Sequence, residues 1–481
     1  MCNNSPTTAL ICTLDDDPSN RPRTTSIHIL DDDSLLHVFY VCRPFFRDED
    51  GIADWRYNGR WWYALSHVCQ RWRSVILGSA SYLGLSLLCT YGTPVARMLA
   101  HSPPLPLIVG YFKKGHELTT DEEGIILALK QHGRVRRVRL TNVTIMQKLS
   151  VVMDKEYPIL ESLRIMPPAE DNSTILRFPE TLQAPYLREL RLQGFALPIG
   201  SRLLTTAVSL VTLHLAMVHP STYFHPNTLI QWISLMPRLE ALIIYFRVSI
   251  PDHNVEGQLM HTPITLITLP NLHRLSFRGD CSYLEALVHR ITTRHLEKLE
   301  IEFFNQQTFS VPRLLQFIYT TEVSFVSTRF NFSDKKAGVG VYTTPGETEV
   351  HAISIVVKCW HLDGQVSSMA QISDSLSQIF TAVEHLVLEH EVHSRSSGEV
   401  DRTQWRKLLR PFSKVKILRI HKRLIKGLSR CLGSEDGELP LELLPELHEI
   451  TIYGSGDAHD AFTSFIDARR NAGLPVTLVR R

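Results

Sequence analysis

Beyond residue 130 the chain repeats one short pattern of hydrophobic and polar positions, apolar-x-x-apolar-x-apolar. Alternating apolar positions of this kind predict a short half-buried strand. The residues up to the next strand predict a helix or loop that returns the chain. Including a weaker instance at Val323-Val326, the first positions are 23 to 33 residues apart. The clear instances begin at Val135, Leu160, Leu187, Leu210, Leu239, Leu272, Leu296, Val350, Val383, Val415 and Leu447.

This period is typical of leucine-rich repeats, so the fold class predicted for residues 131–481 is an α/β solenoid, a horseshoe of about eleven or twelve repeats. "FHPNTLIQWISLM" and "AFTSFIDARRNAG" predict helices between strands, and "FNFSDKKAGVGVYTTPGETE" predicts an inserted loop. Outward strand positions would form a concave binding face for a protein substrate. The candidates at these positions are Arg137, Arg139, Arg164, Arg191, His214, Lys298, Glu300 and Arg419.

The first 110 residues show a different pattern. Residues 1–24 are polar and unpatterned, which predicts a disordered tail. In "ILDDDSLLHVFYVC", Asp31 is the predicted cap of a helix whose apolar face holds Leu35, Val38 and Phe39. "WWYALSHVCQRWRSVI" predicts one further helix, which ends near Gly78. Its apolar stripe is formed by Leu65, Val68, Trp72 and Val75.

A short helix is predicted to open at Thr93-Pro94, and the prolines of "SPPLPLI" close this part of the chain. These patterns predict a small all-helical module over residues 25–110. Residues 111–130 would then be a connector to the solenoid.

Composition limits the classes of function. The 481 residues carry a net charge of +2, and this balance argues against a dedicated nucleic-acid binder. No run of about 18 apolar residues indicates a membrane span, and the N-terminus lacks the features of a signal peptide. The eight cysteines are scattered without a CxxC pair, which is typical of a reducing compartment. The sequence therefore predicts a cytoplasmic or nuclear protein.

Signals for chemistry are weak. "HLVLEHEVH" brings His385, His390 and His393 close in sequence, but a strand followed by a solvated loop explains them better than a metal site. "YGSGDAH" lacks the spacing of a nucleophile elbow, and "KKAGVGVY" lacks that of a phosphate-binding loop. The basic run "GRVRRVRL" favours a protein-binding surface over a nucleic-acid one. We therefore expect no cofactor, no metal and no catalysis.

The N-terminal module resembles the F-box of F-box proteins, and in particular the fungal F-box-like family. "ILDDDSLLHVF" and "LSHVCQRWRSVI" carry the resemblance. Asp31 stands where the family usually has proline, and the segment between the two halves is longer than usual. The resemblance implies a three-helix module that docks on the Skp adaptor. The adaptor-binding positions that it implies are Leu30, Leu35, Leu36, Phe39, Leu65, Val68, Trp72 and Val75.

The resemblance also implies a role for the whole chain. Through the Skp adaptor and a cullin scaffold, the chain would be the substrate-recognition subunit of a Skp–cullin–F-box ubiquitin ligase, with the repeats binding the substrate. The two departures from the motif leave an alternative, a leucine-rich-repeat interaction scaffold that is not coupled to ubiquitination. A deep pocket with convergent polar residues would instead indicate an enzyme.

Overall fold

The structure is a computed structural model. The chain divides into two compact units, residues 1–87 and 88–481. The residues outside the described ranges include the predicted tail, 1–24, and His393. The described ranges are 29–43, 61–111, 121–142, 145–167, 176–198, 200–218, 223–249, 266–304, 309, 311–319, 325–344, 351–391, 401–433, 442–454 and 461–480.

The described part of the first unit is mainly helical. Its helices are α1 (Asp32–Val41), α2 (Trp61–Ser66), α3 (Gln70–Gly78) and α4 (Ala80–Leu83). The predicted cap of α1 is confirmed, because the Asp31 carboxylate accepts a hydrogen bond of 2.6 Å from the backbone N–H of Ser34. This bond satisfies one of the donors that a helix leaves without an internal partner.

The prediction of one helix across "WWYALSHVCQRWRSVI" is wrong, since α2 ends at Ser66 and α3 begins at Gln70. The backbone N–H groups of His67 and Val68 bond three residues back rather than four, which tightens the chain into a turn. The Cys69 sulfur then caps α3 by accepting from the Trp72 N–H at 3.5 Å. The predicted end of the helix at Gly78 is confirmed.

The boundary between the units differs from the predicted end of the helical module at residue 110. Residues 88–110 belong to the second unit and hold strands as well as a helix. The apolar runs "LSLLC" and "LIVGY" are short and fully buried, which suits strands better than helices. The short helix begins at Val95 with Pro94 at its cap, one residue later than predicted from Thr93.

Sixteen strands of the described residues form one sheet, in the order β1-β2-β3-β4-β6-β8-β9-β11-β13-β16-β15-β14-β17-β18-β19-β20. Two further pairs, β10 with β12 and β5 with β7, are separate. The bounds are β1 Leu87–Cys89, β2 Leu107–Tyr111, β3 Val135–Thr141, β4 Ser162–Met166, β5 Leu176–Arg177, β6 Glu189–Gln193, β7 Phe195–Ala196, β8 Thr212–Val218, β9 Ala241–Phe246, β10 Ile267–Thr268, β11 Arg274–Gly279, β12 Ile291–Thr292, β13 Lys298–Phe303, β14 Ser327–Phe332, β15 Lys336–Tyr342, β16 Ile353–Lys358, β17 His385–His390, β18 Ile417–His421, β19 Glu449–Tyr453 and β20 Thr477–Arg480.

Helices connect many of these strands. The helices predicted in "FHPNTLIQWISLM" and "AFTSFIDARRNAG" are confirmed, as Pro226–Ser234 and Thr463–Asn471. The helices of the second unit are α5 Val95–His101, α6 Glu122–Lys130, α7 Met146–Met153, α8 Arg202–Thr206, α9 Pro226–Ser234, α10 Cys281–Val288, α11 Pro312–Tyr319, α12 Leu362–Ser375, α13 Ser377–Phe380, α14 Arg402–Leu409, α15 Ile425–Leu432 and α16 Thr463–Asn471. A 3₁₀ helix covers Lys422–Leu424.

The strands repeat one register, which makes the second unit the predicted α/β solenoid. Leucines at the same position of successive parallel strands are paired in register and fully buried; these are Leu163, Leu190, Leu213, Leu242 and Leu275. Each one fills the core between the sheet and the helices, while its neighbours in sequence point to the other face. All eleven clear instances of the pattern lead into a strand of this sheet.

The prediction of a loop in "FNFSDKKAGVGVYTTPGETE" is wrong, because ten of the fifteen described residues of this stretch lie in β14 and β15. β14 and β15 form an antiparallel hairpin, and β15 also pairs antiparallel with β16. β16 then pairs with β13, so β14, β15 and β16 stand in reverse order between β13 and β17. Glycine at 338 and 340 lets neighbouring side chains approach closely, with a Cβ at Gly338 lying only 3.1 Å from Val356 Cγ2.

Candidate functional site

The eight predicted substrate-binding residues lie on one face of the sheet. Arg139, Arg164, Arg191 and His214 occupy the same register position in β3, β4, β6 and β8. Following the pairing further places Glu300 and Arg419 in this row, and puts Arg137 and Lys298 two residues earlier on their strands. Period-two alternation therefore brings these side chains to the face opposite the leucine core.

Arginines dominate the part of this face formed by β3, β4 and β6. Arg139 and Arg164 are each only 7% exposed. Arg164 Nη2 lies 2.7 Å and Arg191 Nε 2.6 Å from the same Glu189 oxygen, and the Ser162 hydroxyl donates to the other oxygen at 2.8 Å. Burial alone would raise the pKa of Glu189, but Arg164 and Arg191 outweigh it and lower the pKa. Sequence reasoning missed Glu189, although strand alternation places it on this face.

Glu161 is a second carboxylate at the edge of the arginine region. It lies just before β4, 2.9 Å from Arg136 Nε and 4.0 Å from Arg137 Nε. Its carbonyl also accepts the backbone N–H of Arg188, which fixes the segment beside the sheet. The two carboxylates thus lie at the start of their strands, while Arg139, Arg164 and Arg191 extend farther along the face.

A cluster of three basic side chains surrounds Glu300 on β13. Arg274 and Lys298 each lie 2.9 Å from its oxygens, and His351 Nε2 lies 3.4 Å away. The hydrogen bond from His351 is the main reason that the pKa of Glu300 is lowered, and Lys298 and Arg274 add to it against the effect of burial. Three basic side chains around one carboxylate form a local ion network, in which the charge of Glu300 is already paired.

Another mixed cluster lies farther along the same sheet. Arg329 Nε is 3.6 Å from Glu389, and the Arg329 guanidinium lies 5.7 Å from the Tyr342 ring centroid. Arg419 is at the register position next to Val387. The eight predicted residues therefore share a face but fall into three chemically different groups along it.

His214 is in register with Arg139, Arg164 and Arg191, and it is the neutral member of this set of four. Burial, and after it the charges of Arg191 and Arg274, lower its pKa to about 4, although Glu189 acts in the opposite direction. Neither ring nitrogen has a hydrogen-bond partner among the described residues. A protonated imidazole here would add a further positive charge beside Arg164 and Arg191, which explains why the fold holds the neutral form.

Replacing His214 with phenylalanine is expected to make the protein less sensitive to mild acid. Because the folded pKa lies below the ordinary value of about 6.5, the unfolded chain takes up a proton between about pH 6.5 and 4 while the folded chain does not. Wild-type stability therefore falls as the pH drops through this window. Urea unfolding at pH 7.5 and 5 should show that the variant gains about 2 kcal/mol relative to wild type at the lower pH. An equal difference at both pH values would contradict this.

The predicted adaptor-binding residues in the first unit separate into two sets. Leu35 and Phe39 are fully buried, so the described fold offers neither to a partner. The Phe39 ring packs edge-to-face on Trp72 with centroids 5.0 Å apart, which leaves Trp72 half-buried. Val68 is 59% exposed. The remaining four are partly exposed; they are Leu30, Leu36, Leu65 and Val75.

The first unit exposes several apolar side chains, of which the predicted adaptor-binding set includes only Val68. Tyr40 and Tyr82 lie with their ring centroids 5.3 Å apart in a tilted arrangement, yet both stay exposed. Six of the fifteen exposed large apolar side chains among the described residues lie in this small unit. They are Ile29, Val38, Tyr40, Val41, Val68 and Tyr82. Such a concentration is typical of a surface that a partner covers.

Arg71 links the two halves of the proposed motif. Its guanidinium lies 2.8 Å from the Asp32 carboxylate and donates to the carbonyl of Leu30 at 2.6 Å. The start of α1 is thereby held against α3, which brings the stretches "ILDDDSLL" and "CQRWRSVI" together. The resemblance named these stretches separately, and only the folded unit shows the contact.

The histidine-rich stretch shows no metal cluster within the described ranges, and His393 lies outside them. His390 and His421 stack with ring centroids 6.2 Å apart at the ends of β17 and β18. Burial is the main cause that lowers the pKa of both rings. Their contact is thus one of packing between neutral rings.

Comparisons with known proteins give likenesses only among solved structures. No protein-family model matches the chain, and neither does any curated protein. TLR13, in the crystal structure of its complex with ssRNA13, is 12% identical with a TM-score of 0.29, over 82% of this chain and 48% of that chain. The chain therefore spans about half the length of the TLR13 chain. The leucine-rich repeat-containing protein LegL7 from Legionella pneumophila is 10% identical with a TM-score of 0.25, over 82% of this chain and 99% of that chain.

No helix in the described part of the chain has both the length and the apolar character needed to cross a membrane.

Proposed function

We propose that this chain is a binding protein that recruits a protein substrate to a Skp–cullin–F-box ubiquitin ligase. The first unit docks on the Skp adaptor, and through it on the cullin scaffold, while the outward face of the sheet in the second unit binds the substrate. Such a chain needs no catalytic group, metal or cofactor of its own. It acts by holding a substrate lysine near a conjugating enzyme carried elsewhere in the complex.

The observation that carries the proposal is the exposed apolar surface of the first unit. Val68 follows α2 within the motif that resembles an F-box, while Val38 and Val41 lie on α1. Exposing such side chains to water costs free energy that a docked partner would recover, at roughly 25 cal/mol per Å² of apolar area. The contact between the buried Phe39 ring and the half-buried Trp72 ring then has a different role, which is to hold α1 on α3.

Val68→Asp should abolish most adaptor binding while leaving the fold intact. The side chain is exposed, so the substitution disturbs little internal packing, but it places a charge in an apolar interface. We expect at least a roughly tenfold loss of Skp adaptor when the full chain is co-expressed with it and affinity-purified. Circular dichroism should show an unchanged fold.

Val151→Asp is the matched control, because Val151 is 76% exposed on α7 of the second unit. This variant should retain the adaptor at the wild-type level. If wild type does not co-purify with the adaptor at all, the ligase proposal is wrong and the solenoid is left as an interaction scaffold. Equal losses from both substitutions would also contradict docking through the first unit.

A further inference from the structure

The sheet face of β3, β4 and β6 carries a local excess of positive charge. These three strands contain five arginines, residues 136, 137, 139, 164 and 191, and one acidic residue, Glu189. β11 and β13, on the same sheet, are nearly balanced, with three bases and two acids. The excess is therefore a property of one region, and we call the set Arg137, Arg139, Arg164 and Arg191 the arginine row.

The geometry of the arginine row is fixed by strand pairing. Arg139, Arg164 and Arg191 are in register on adjacent parallel strands, which lie about 4.8 Å apart. Like charges at this spacing repel one another, and the partial burial of Arg139 and Arg164 strengthens the repulsion by lowering the local dielectric. Glu189 lies between Arg164 and Arg191 and offsets part of it. An added anion would offset more.

Two members of the row remain accessible to a ligand. The side chains of Arg137 and Arg191 are 26% and 31% exposed, one on β3 and the other on β6. They are two strand spacings apart across the sheet, about 10 Å, and two residues apart along it, about 7 Å, so their Cα atoms lie about 12 Å apart. In an extended peptide this distance separates residues three to four positions apart. Guanidinium groups suit carboxylates because their N–H donors match both oxygens.

The surroundings favour a peptide over a nucleic acid. Glu161 and Glu189 stand beside the row, and farther along the face Glu300 and Glu302 would repel a continuous polyanion. Next to the row, the half-buried Tyr245 packs against His214 with ring centroids 5.7 Å apart. This aromatic edge offers contact to a peptide side chain.

We propose that the arginine row binds an extended acidic segment of a partner protein, whose aspartate or glutamate carboxylates, three to four residues apart, engage Arg137 and Arg191. This inference rests on the proposed use of the sheet face for substrate binding, and it gives that substrate a chemical class. Arg139 and Arg164 contribute their charge from beneath the ligand. His214 is in register with Arg191 on the next strand, but it is neutral and therefore adds no fifth positive charge beside the row.

The test uses the full chain and a fluorescein-labelled twelve-residue peptide with three repeats of Glu-Ser-Gly-Glu, in which glutamates lie three and four positions apart, and measures affinity by fluorescence anisotropy. The same peptide with glutamine in place of glutamate, a version with phosphoserine and glutamine, and a twelve-nucleotide oligouridine are the comparison ligands. Wild type should bind the glutamate peptide, and the affinity should fall as salt is raised. The glutamine peptide should not bind.

Arg137→Gln and Arg191→Gln should each weaken binding of the glutamate peptide by about tenfold. Arg278→Gln is the matched control, because Arg278 on β11 lies on the same face, is similarly exposed at 27% and also pairs with a glutamate, Glu302, at 3.2 Å. It should leave the affinity unchanged. Should a variant fold poorly, the salt dependence and the glutamine peptide test the same point on wild type.

Several results would overturn the inference. Equal affinity for the glutamate and glutamine peptides, binding of only the phosphorylated peptide or only the oligouridine, or equal effects of Arg191→Gln and Arg278→Gln would each do so. The adaptor plays no part in this measurement. Loss of peptide binding with intact adaptor co-purification therefore removes this inference alone, whereas peptide binding without adaptor co-purification removes only the ligase proposal.

Discussion

Replacing Arg469 with methionine is expected to lower the free energy of unfolding by about 3 kcal/mol or more. Arg469, on α16, is only 1% exposed, and burial lowers its pKa. Its guanidinium donates to the backbone carbonyls of Leu444, Pro445 and Leu447 at 3.1, 2.8 and 3.2 Å, and its Nε donates to Leu474 at 3.5 Å. Methionine fills similar space but donates no hydrogen bond.

The cost is large because the carbonyls lose their donor inside the protein. A buried acceptor left without a partner costs about 1–3 kcal/mol. Leu444 also has a positive φ of 53°, a conformation that a leucine adopts only when its surroundings hold it. The bonds from Arg469 tie this segment, just before β19, to the last helix. Hydrogen exchange should therefore increase first around β19 and α16.

Arg470→Met is the control, since Arg470 is adjacent but largely exposed and pairs with Asp467 at 2.9 Å on the surface. Exposed ion pairs contribute little, so this change should stay within about 0.5 kcal/mol of wild type in urea unfolding. Similar midpoints for the two variants would mean that the buried contacts of Arg469 do not stabilise the end of the solenoid.

Trp405→Ala should destabilise the protein by about 3–5 kcal/mol. Trp405, on α14, is fully buried and packs edge-to-face on Phe332 of β14, with ring centroids 5.8 Å apart. The cavity left by the indole would separate α14 from the reversed part of the sheet. Trp405→Phe should cost much less, because a ring remains and the indole N–H has no hydrogen-bond partner among the described residues.

Gly427 provides an internal check on the position of the indole. A Cβ at this residue of α15 would lie 2.8 Å from Trp405 Nε1. Glycine to alanine within a helix normally stabilises by up to about 1 kcal/mol, but Gly427→Ala should destabilise wild type because of this contact. In the Trp405→Phe background the contact is absent, so the same change should be neutral or stabilising. Thermal unfolding of the four proteins measures the coupling, and additive effects would place the indole elsewhere.

The sequence predicted much of the candidate surface because strand alternation needs no tertiary information. Once the leucines of each repeat are assigned to the core, Arg139, Arg164 and Arg191 have to lie on the opposite face. Strand alternation does not predict which residue forms an ion pair with each charged side chain. Glu189 serves both Arg164 and Arg191 only because β4 and β6 are adjacent and in register. The ion network around Glu300 likewise includes His351, 51 positions later in the chain.

Predictions from local sequence patterns were wrong where a few backbone hydrogen bonds outweighed the preference of the segment. The apolar spacing of Leu65, Val68 and Trp72 suits one helix, yet the tightened turn at His67 ends α2 and exposes Val68. The glycines of "KKAGVGVY" favour a loop by propensity. Pairing on both sides, with β14 and β16, supplies the hydrogen bonds that make this stretch a strand instead.

The sequence by itself determined the repeating unit, the face on which each strand residue lies and the helical character of the described part of the first unit, because all three follow from the positions of apolar side chains along short segments. Only the tertiary structure decided the reverse order of β14, β15 and β16, the end of the first unit at Leu87 and the burial of Leu35 and Phe39. These depend on contacts between residues far apart in sequence, whose free energies exceed the local preferences of each segment.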